Sequence, residues 1–219
     1  MIEFINGVVS LTRDGHKNLA IAMRLLPGDC TVLVGPNGSG KTTLLDLVAG
    51  VRLLDRGTIF VEPERKPIAY VVQDSNSGLL PWLNILSNIL FPLRLYQNTI
   101  NDVSEQVHAY LTRFGLEARA HDFPYKFSGG EKQIVNLVRA LFTPADIVLL
   151  DEPFSPLNAV VRSAAKNLIR DFTRDRTTIL VTHDPADLDL PITRYFMIAN
   201  KKVEEVQRDE AWESLSHVK

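Results

Sequence analysis

The chain has 219 residues, 45% hydrophobic and 23% charged, with a net charge of −2. That balance suits one substantial soluble α/β domain. It excludes the basic field of a nucleic-acid binder, and no run approaches the roughly 18 apolar residues a membrane span needs.

In chain order, Met1–Asn6 has no positive region followed by an apolar run, so no signal peptide is expected and a cytosolic location is. Candidate strands follow at Glu3–Ser10, Ala20–Leu26, Cys30–Gly35, Gly57–Val61 and Ile68–Gln73. Cys30, the single cysteine, reads as a small core residue and rules out an intrachain disulfide. Thr43–Ala49 reads as a helix stopped by Gly50. The stretch from about Ser75 to Pro144 is helical, because Val103, Val107, Tyr110, Leu111 and Phe114, and later Ile134, Leu137, Val138 and Leu141, recur at helical spacing. Asp146–Asp151 and Thr177–Thr182 are apolar runs of the kind found in buried parallel strands. Between them Val161, Ala165, Leu168 and Phe172 line one helix face. The expected architecture is an α/β parallel-sheet core with phosphate-binding loops at its carboxyl edge, preceded by a strand-rich N-terminal part. The helical middle reads as an insertion, with core at 1–73 and 145–219 and helical part at 75–144.

Residues Gly35-Pro36-Asn37-Gly38-Ser39-Gly40-Lys41-Thr42 fit G-x-x-x-x-G-K-[ST], between a strand and a helix. The glycines let successive N–H groups turn into one anion-sized hollow at a helix N-terminus. Lys41 can reach β- and γ-phosphate oxygens, the Thr42 hydroxyl can ligate Mg²⁺, and Thr43 follows at the helix start. Gln73, at the junction with the helical part, offers a neutral amide to metal or attacking water.

Ile147–Glu152 reads as a strand ending in two carboxylates, which alternation sends in different directions. Asp151 can hold the Mg²⁺ shell, and Glu152 can take a proton from the water attacking the γ-phosphate. His183, closing the next apolar strand, can bond the γ-phosphate and steady Glu152. The other histidines, His16, His108, His121 and His217, read as structural or exposed. Ser128, Gly129 and Gly130 open an amphipathic helix and make a second backbone anion site. A plain helix cap by Ser128 and Glu131 accounts for the same residues.

This ordered set resembles the ATP-binding subunits of ABC transporters. Gly35–Thr42 looks like their Walker A loop, Gln73 like the Q-loop and Phe127–Glu131 like the signature motif. Ile147–Glu152 looks like Walker B, Ser155-Pro156-Leu157-Asn158 like the D-loop and His183 like the H-loop. The resemblance implies a P-loop NTPase (RecA-like) core, ATP and Mg²⁺ as ligands, and ATPase activity coupled to transport. It further implies a head-to-tail homodimer, in which each ATP lies between the Walker A loop of one subunit and the signature loop of the other. Expected partners are an integral-membrane permease at the cytoplasmic face of the cell membrane and, for import, an external solute-binding protein. Leu79-Leu80-Pro81-Trp82 is similar to the nitrate, sulfonate and taurine importer group, and the resemblance implies a groove wall for a permease helix; packing into the chain's own core is the alternative for the same residues. No regulatory C-terminal domain is expected. Three departures stand out: no aromatic near Leu11–Arg13 to stack on adenine, Asn158 where the D-loop usually has Asp, and Glu131 where the signature usually has Gln. They motivate an alternative, a nucleotide-binding regulator or non-transport ABC protein with little turnover.

Overall fold

A computed structural model of the chain describes residues 1–12, 17–62, 67–96 and 101–216. Arg13, His16 and His217 lie outside them, as does the side chain of Phe172.

The strands are β1 (Ile2–Ser10), β2 (Asn18–Leu25), β3 (Cys30–Val34), β4 (Arg56–Val61), β5 (Ile68–Val71), β6 (Ile147–Asp151), β7 (Thr177–Val181), β8 (Arg194–Ala199) and β9 (Lys202–Val206). The helices are α1 (Lys41–Val48), α2 (Ile85–Tyr96), α3 (Asn101–Arg113), α4 (Gly129–Phe142), α5 (Ala159–Thr173) and α6 (Arg208–Ser216). One sheet orders the strands β4-β1-β2-β9-β8-β3-β7-β6-β5. From β8 to β5 neighbouring strands are parallel, while β1 pairs antiparallel with both β2 and β4. The mixed α/β class with an N-terminal antiparallel part is therefore present. The sequence reading had not anticipated the antiparallel pair β8 and β9, which joins the two parts into one sheet.

The central strands β3, β6 and β7 are buried at every position and mostly apolar because both faces of the sheet are covered. The two-residue period divides them between two cores. Val32, Val34, Val148, Leu150 and Leu180 enter the core shared with α2–α5. Leu33, Ile147, Leu149, Ile179 and Val181 enter the core shared with α1, β1 and β2. Each such side chain contributes about 1.5–3 kcal/mol by burial, so register is fixed from both sides.

Helix α1 starts at Lys41, two residues earlier than its apolar pattern suggests, and Gly50 follows it in a left-handed turn with φ 71°. Helices α2, α3 and α4 lie between β5 and β6 in the chain. Helix α2 tolerates Pro92 in its interior.

Candidate nucleotide site

Parallel topology sends β3, β7, β6 and β5 toward one edge with their carboxyl ends together. From β3 comes the loop Gly35–Gly40; from β7, Thr182 and His183; from β6, Asp151 and Glu152; from β5, Gln73. Their convergence is thus a consequence of strand order. A cavity of about 350 Å³ is lined by Asn37, Gly38, Gly40, Lys41, Thr42, Thr43, Gln73, Asp151 and Glu152, with Leu11 at its side.

The loop wraps Lys41, whose Nζ donates to the carbonyls of Gly35 at 2.8 Å and Pro36 at 3.0 Å. Burial lowers the Lys41 pKa, and the nearby Glu152 and Asp151 charges oppose that shift. A buried ammonium held only by two carbonyls, among the described residues, has capacity for an anion. Gly35 adopts φ 146°, and a Cβ there would stand 2.8 Å from the Ile198 carbonyl, so the loop can take this path only with glycine. Ser39 Oγ is buried without a hydrogen-bond partner among the described residues.

Thr42 Oγ1 donates to Asp151 Oδ2 at 2.7 Å, which places the two proposed Mg²⁺ ligands in contact. Asp151 is 1% exposed, and burial raises its pKa. A hard cation is what such a buried carboxylate and hydroxyl suit. Among the described residues no group of three or more His, Cys, Asp and Glu surrounds one point, so a cation here would complete its shell with phosphate and water oxygens.

Two sequence expectations need correcting in their reasons. Asp151 and Glu152 do diverge, but not by strand alternation: β6 ends at Asp151, and Glu152 turns into the left-handed region at φ 47°. That conformation is costly for a residue with a Cβ and recurs at functional sites. It brings Glu152 Oε2 to 3.2 Å from His183 Nδ1. Gln73 and His183 do not end strands; they lie two residues past β5 and β7, where the backbone is free to present them.

Ser128, Gly129 and Gly130 lie elsewhere. Ser128 and Gly130 line a separate cavity of about 320 Å³ with Glu131, Pro156, Leu157 and Asn158. Ser128 caps α4: its Oγ accepts from Glu131 N at 3.3 Å, while Glu131 Oε2 accepts from Ser128 N at 2.7 Å. Glu131 also pairs with Arg119 at 2.6 Å, so its carboxylate is committed to the helix end. Asn158 caps α5 through Val161 N at 3.0 Å, a role Asn and Asp fill equally well.

The expected apolar wall at Leu79–Trp82 divides. Leu79 is buried in the core, whereas Trp82 is 69% exposed. The segment is held by Asn88, a residue sequence reasoning passed over. Asn88 Oδ1 accepts from Leu80 N at 2.8 Å, and its Nδ2 donates to the carbonyls of Leu80 and Leu83. A polar residue at a buried position of the apolar helix α2 was the available signal.

The family model described as ABC transporter matches residues 19–155. The chain belongs to the ABC transporter family. It is 38% identical over 178 residues to the aliphatic sulfonates import ATP-binding protein SsuB 1 of Pseudomonas syringae pv. tomato, covering 80% of this chain and 62% of that protein. It is 37% identical to the sulfate/thiosulfate import ATP-binding protein CysA of Mesostigma viride, covering 77% of this chain and 50% of that one. The matched segment thus spans less than two thirds of these relatives. Among solved structures, an ATP-binding cassette in a dimeric post-hydrolysis state, bound to ADP and Pi, superposes with a TM-score of 0.82 at 23% identity. The superposition covers 95% of this chain and 99% of that one, and establishes the P-loop cassette fold.

Proposed function

We propose that this ABC-family chain is the ATP-hydrolysing subunit of an importer. The observation that carries the reading is the Glu152–His183 contact at 3.2 Å, in the group of strand ends that also holds Lys41 and the Thr42–Asp151 pair.

Gly35–Thr43 bind and orient the triphosphate through backbone N–H groups, and Lys41 supplies the buried cation beside it. Thr42, Asp151 and Gln73 are the residues that would hold Mg²⁺, whose chemistry is to neutralise charge on the β- and γ-oxygens. Glu152 accepts the proton of the attacking water, and His183 holds the Glu152 carboxylate in place. A complete base and its support speak for turnover rather than for a silent regulator.

The separate Ser128–Gly130 site supports a head-to-tail homodimer in which that loop completes the partner's nucleotide site. Trp82, exposed between Leu80 and Leu83, whose backbones Asn88 holds, is the anchor we assign to a permease at the cytoplasmic membrane face. Among the described residues no helix is long and apolar enough to cross a membrane, so a separate permease fits this reading. The Leu79–Trp82 segment and the sulfonate-importer relative together favour a small anion, such as nitrate, a sulfonate or taurine, delivered by an external binding protein.

The test is Mg²⁺-dependent ATP hydrolysis by the purified chain, alone and with its permease, compared with Glu152→Gln. That variant keeps the shape and loses the base. It should bind ATP, lose at least about a hundredfold in turnover and run as a dimer in ATP on size exclusion. Undiminished turnover would remove Glu152 from its role, and a monomer at high ATP would remove the sandwich.

A further inference from the structure

His183 is half exposed, and Glu152 is its side-chain partner among the described residues. Its position is set by what grips the residues on either side. Thr182, before it, is buried and donates from Oγ1 to Asp187 Oδ2 at 2.5 Å. Asp184, after it, returns its backbone N–H to Thr182 Oγ1 at 3.1 Å and caps the 3-10 turn Pro185–Asp189 through Ala186 N. Arg162, in the first turn of α5, spans both. Its NH1 lies 2.6 Å from Asp184 Oδ2 and its NH2 2.6 Å from Asp187 Oδ1. Lys166, one turn further along, adds its ammonium to Asp187 and Asp189.

The same two cations bear on the other half of the pair. Phe154 lies two residues past Glu152 and is 2% exposed. Arg162 stands 5.6 Å and Lys166 5.9 Å from its ring centroid. Glu152 and His183 leave different strands, yet both of their flanks rest on one face of α5. Asp187 is 2% exposed, and its carboxylate is occupied on one oxygen by Thr182 and on the other by Arg162 and Lys166. Arg162 meets Asp184 and Asp187 through two different nitrogens of one rigid planar fork, a fixed geometry that an ammonium on a flexible stem does not reproduce. Burial works against the Arg162 charge, but Asp187 and Asp184 outweigh it and hold its pKa above the usual value.

We infer that Arg162 and Asp187 are positioning residues for hydrolysis, a clamp from helix α5 that fixes His183 against Glu152. The inference rests on the ATPase reading above. Because α5 is capped by Asn158, in the segment that resembles the D-loop, the clamp also ties the Glu152–His183 pair to a helix that borders the Ser128–Gly130 cavity.

The experiment is a double-mutant cycle on the full chain. Arg162→Lys and Asp187→Asn should each lower kcat by about tenfold or more, with KM for ATP within about twofold. In a His183→Ala background they should lower it no further, because the residue they position is gone. A merely structural role would give the same loss in both backgrounds, and that additivity would overturn the inference. A fall in kcat under twofold would also overturn it. Should either variant fail to fold, Asp184→Asn keeps the turn cap and carries the same cycle. If the unaltered chain proves not to hydrolyse ATP, the functional reading fails by itself, and the clamp is decided by NMR on nucleotide-free protein. The histidine Cε1–Hε1 resonance lost in His183→Ala should shift or broaden in the clamp variants, and an unmoved resonance would refute it.

Discussion

The two candidate phosphate-binding loops share a design and differ in completeness. At Gly35–Thr42 the backbone closes around a buried cation, and the loop's own Thr42 hydroxyl meets the Asp151 carboxylate and the Gln73 amide, from two other chain segments, in one cavity. At Ser128–Gly130 the loop is exposed at Ser128 and Gly129, its side-chain bonds are spent on its own helix, and among the described residues no buried cation lines its cavity. Both sit at helix N-termini, so the dipole is common to them. The lesson is that a helix end marks where an anion fits, while the surrounding tertiary structure decides whether one chain holds a whole site or half of one.

The largest expected break is on the complete side. Lys41→Ala removes the buried cation at the loop and should abolish hydrolysis and weaken ATP binding at least about tenfold, roughly 1.4 kcal/mol. Equilibrium binding of a fluorescent ATP analogue checks this, and affinity within twofold of the unaltered chain would show that the loop backbone suffices.

Trp82 lines neither cavity, and Trp82→Ala should remove permease capture and transport while shifting stability by no more than about 0.5 kcal/mol, as expected for a surface residue. Pull-down of the permease and a thermal melt read the two effects separately, and a collapse of stability would return Trp82 to a packing role. Ser128→Ala separates the loops directly. Loss of the cap should cost about 1 kcal/mol. ATP affinity of the isolated chain should stay within twofold, while turnover falls about tenfold where two copies meet. An equal loss of affinity in the isolated chain would place Ser128 in its own nucleotide site.

The smallest effect probes how dry the complete side is beneath the loop. Cys30 opens β3, and burial, helped by the Asp29 charge, pushes its thiol up from 9.0 to about 11. The folded pKa lies above the unfolded one, so this group's contribution to stability is full below about pH 9 and lost between there and about pH 11. A thiol reagent at pH 8 should label native protein at least about a hundredfold more slowly than denatured protein. Equal rates would mean that water reaches β3.

Much of the site is legible in the chain because its motifs are local. Gly35–Thr42 needs only a strand, a loop and a helix in succession, and the apolar runs on both sides supply them. The central strands were legible because two covered faces favour near-continuous apolar runs. Strand β9 escaped notice because Lys202, Glu204 and Glu205 break its alternation, and with it went the antiparallel pairing to β8. The left-handed turn at Glu152 escaped because nothing in a non-glycine residue type announces a positive φ. Arg162 and Asp187 escaped because their pairing joins residues 25 positions apart on different elements.

The sequence by itself determined the class of chemistry, since glycine spacing, a lysine and strand-end carboxylates are requirements of phosphate binding that no packing arrangement replaces. It also determined the helix caps at Ser128 and Asn158, which are interactions within a single turn. Only the tertiary structure decided that β7 lies between β3 and β6, and therefore that His183 reaches Glu152. It alone put Ser128 in a different cavity from Lys41 and sent Leu79 inward while leaving Trp82 out. The physical reason is the same in each case. Local sequence fixes backbone conformation over a few residues, whereas the order of strands and the face a side chain meets follow from burying two cores on opposite sides of one sheet.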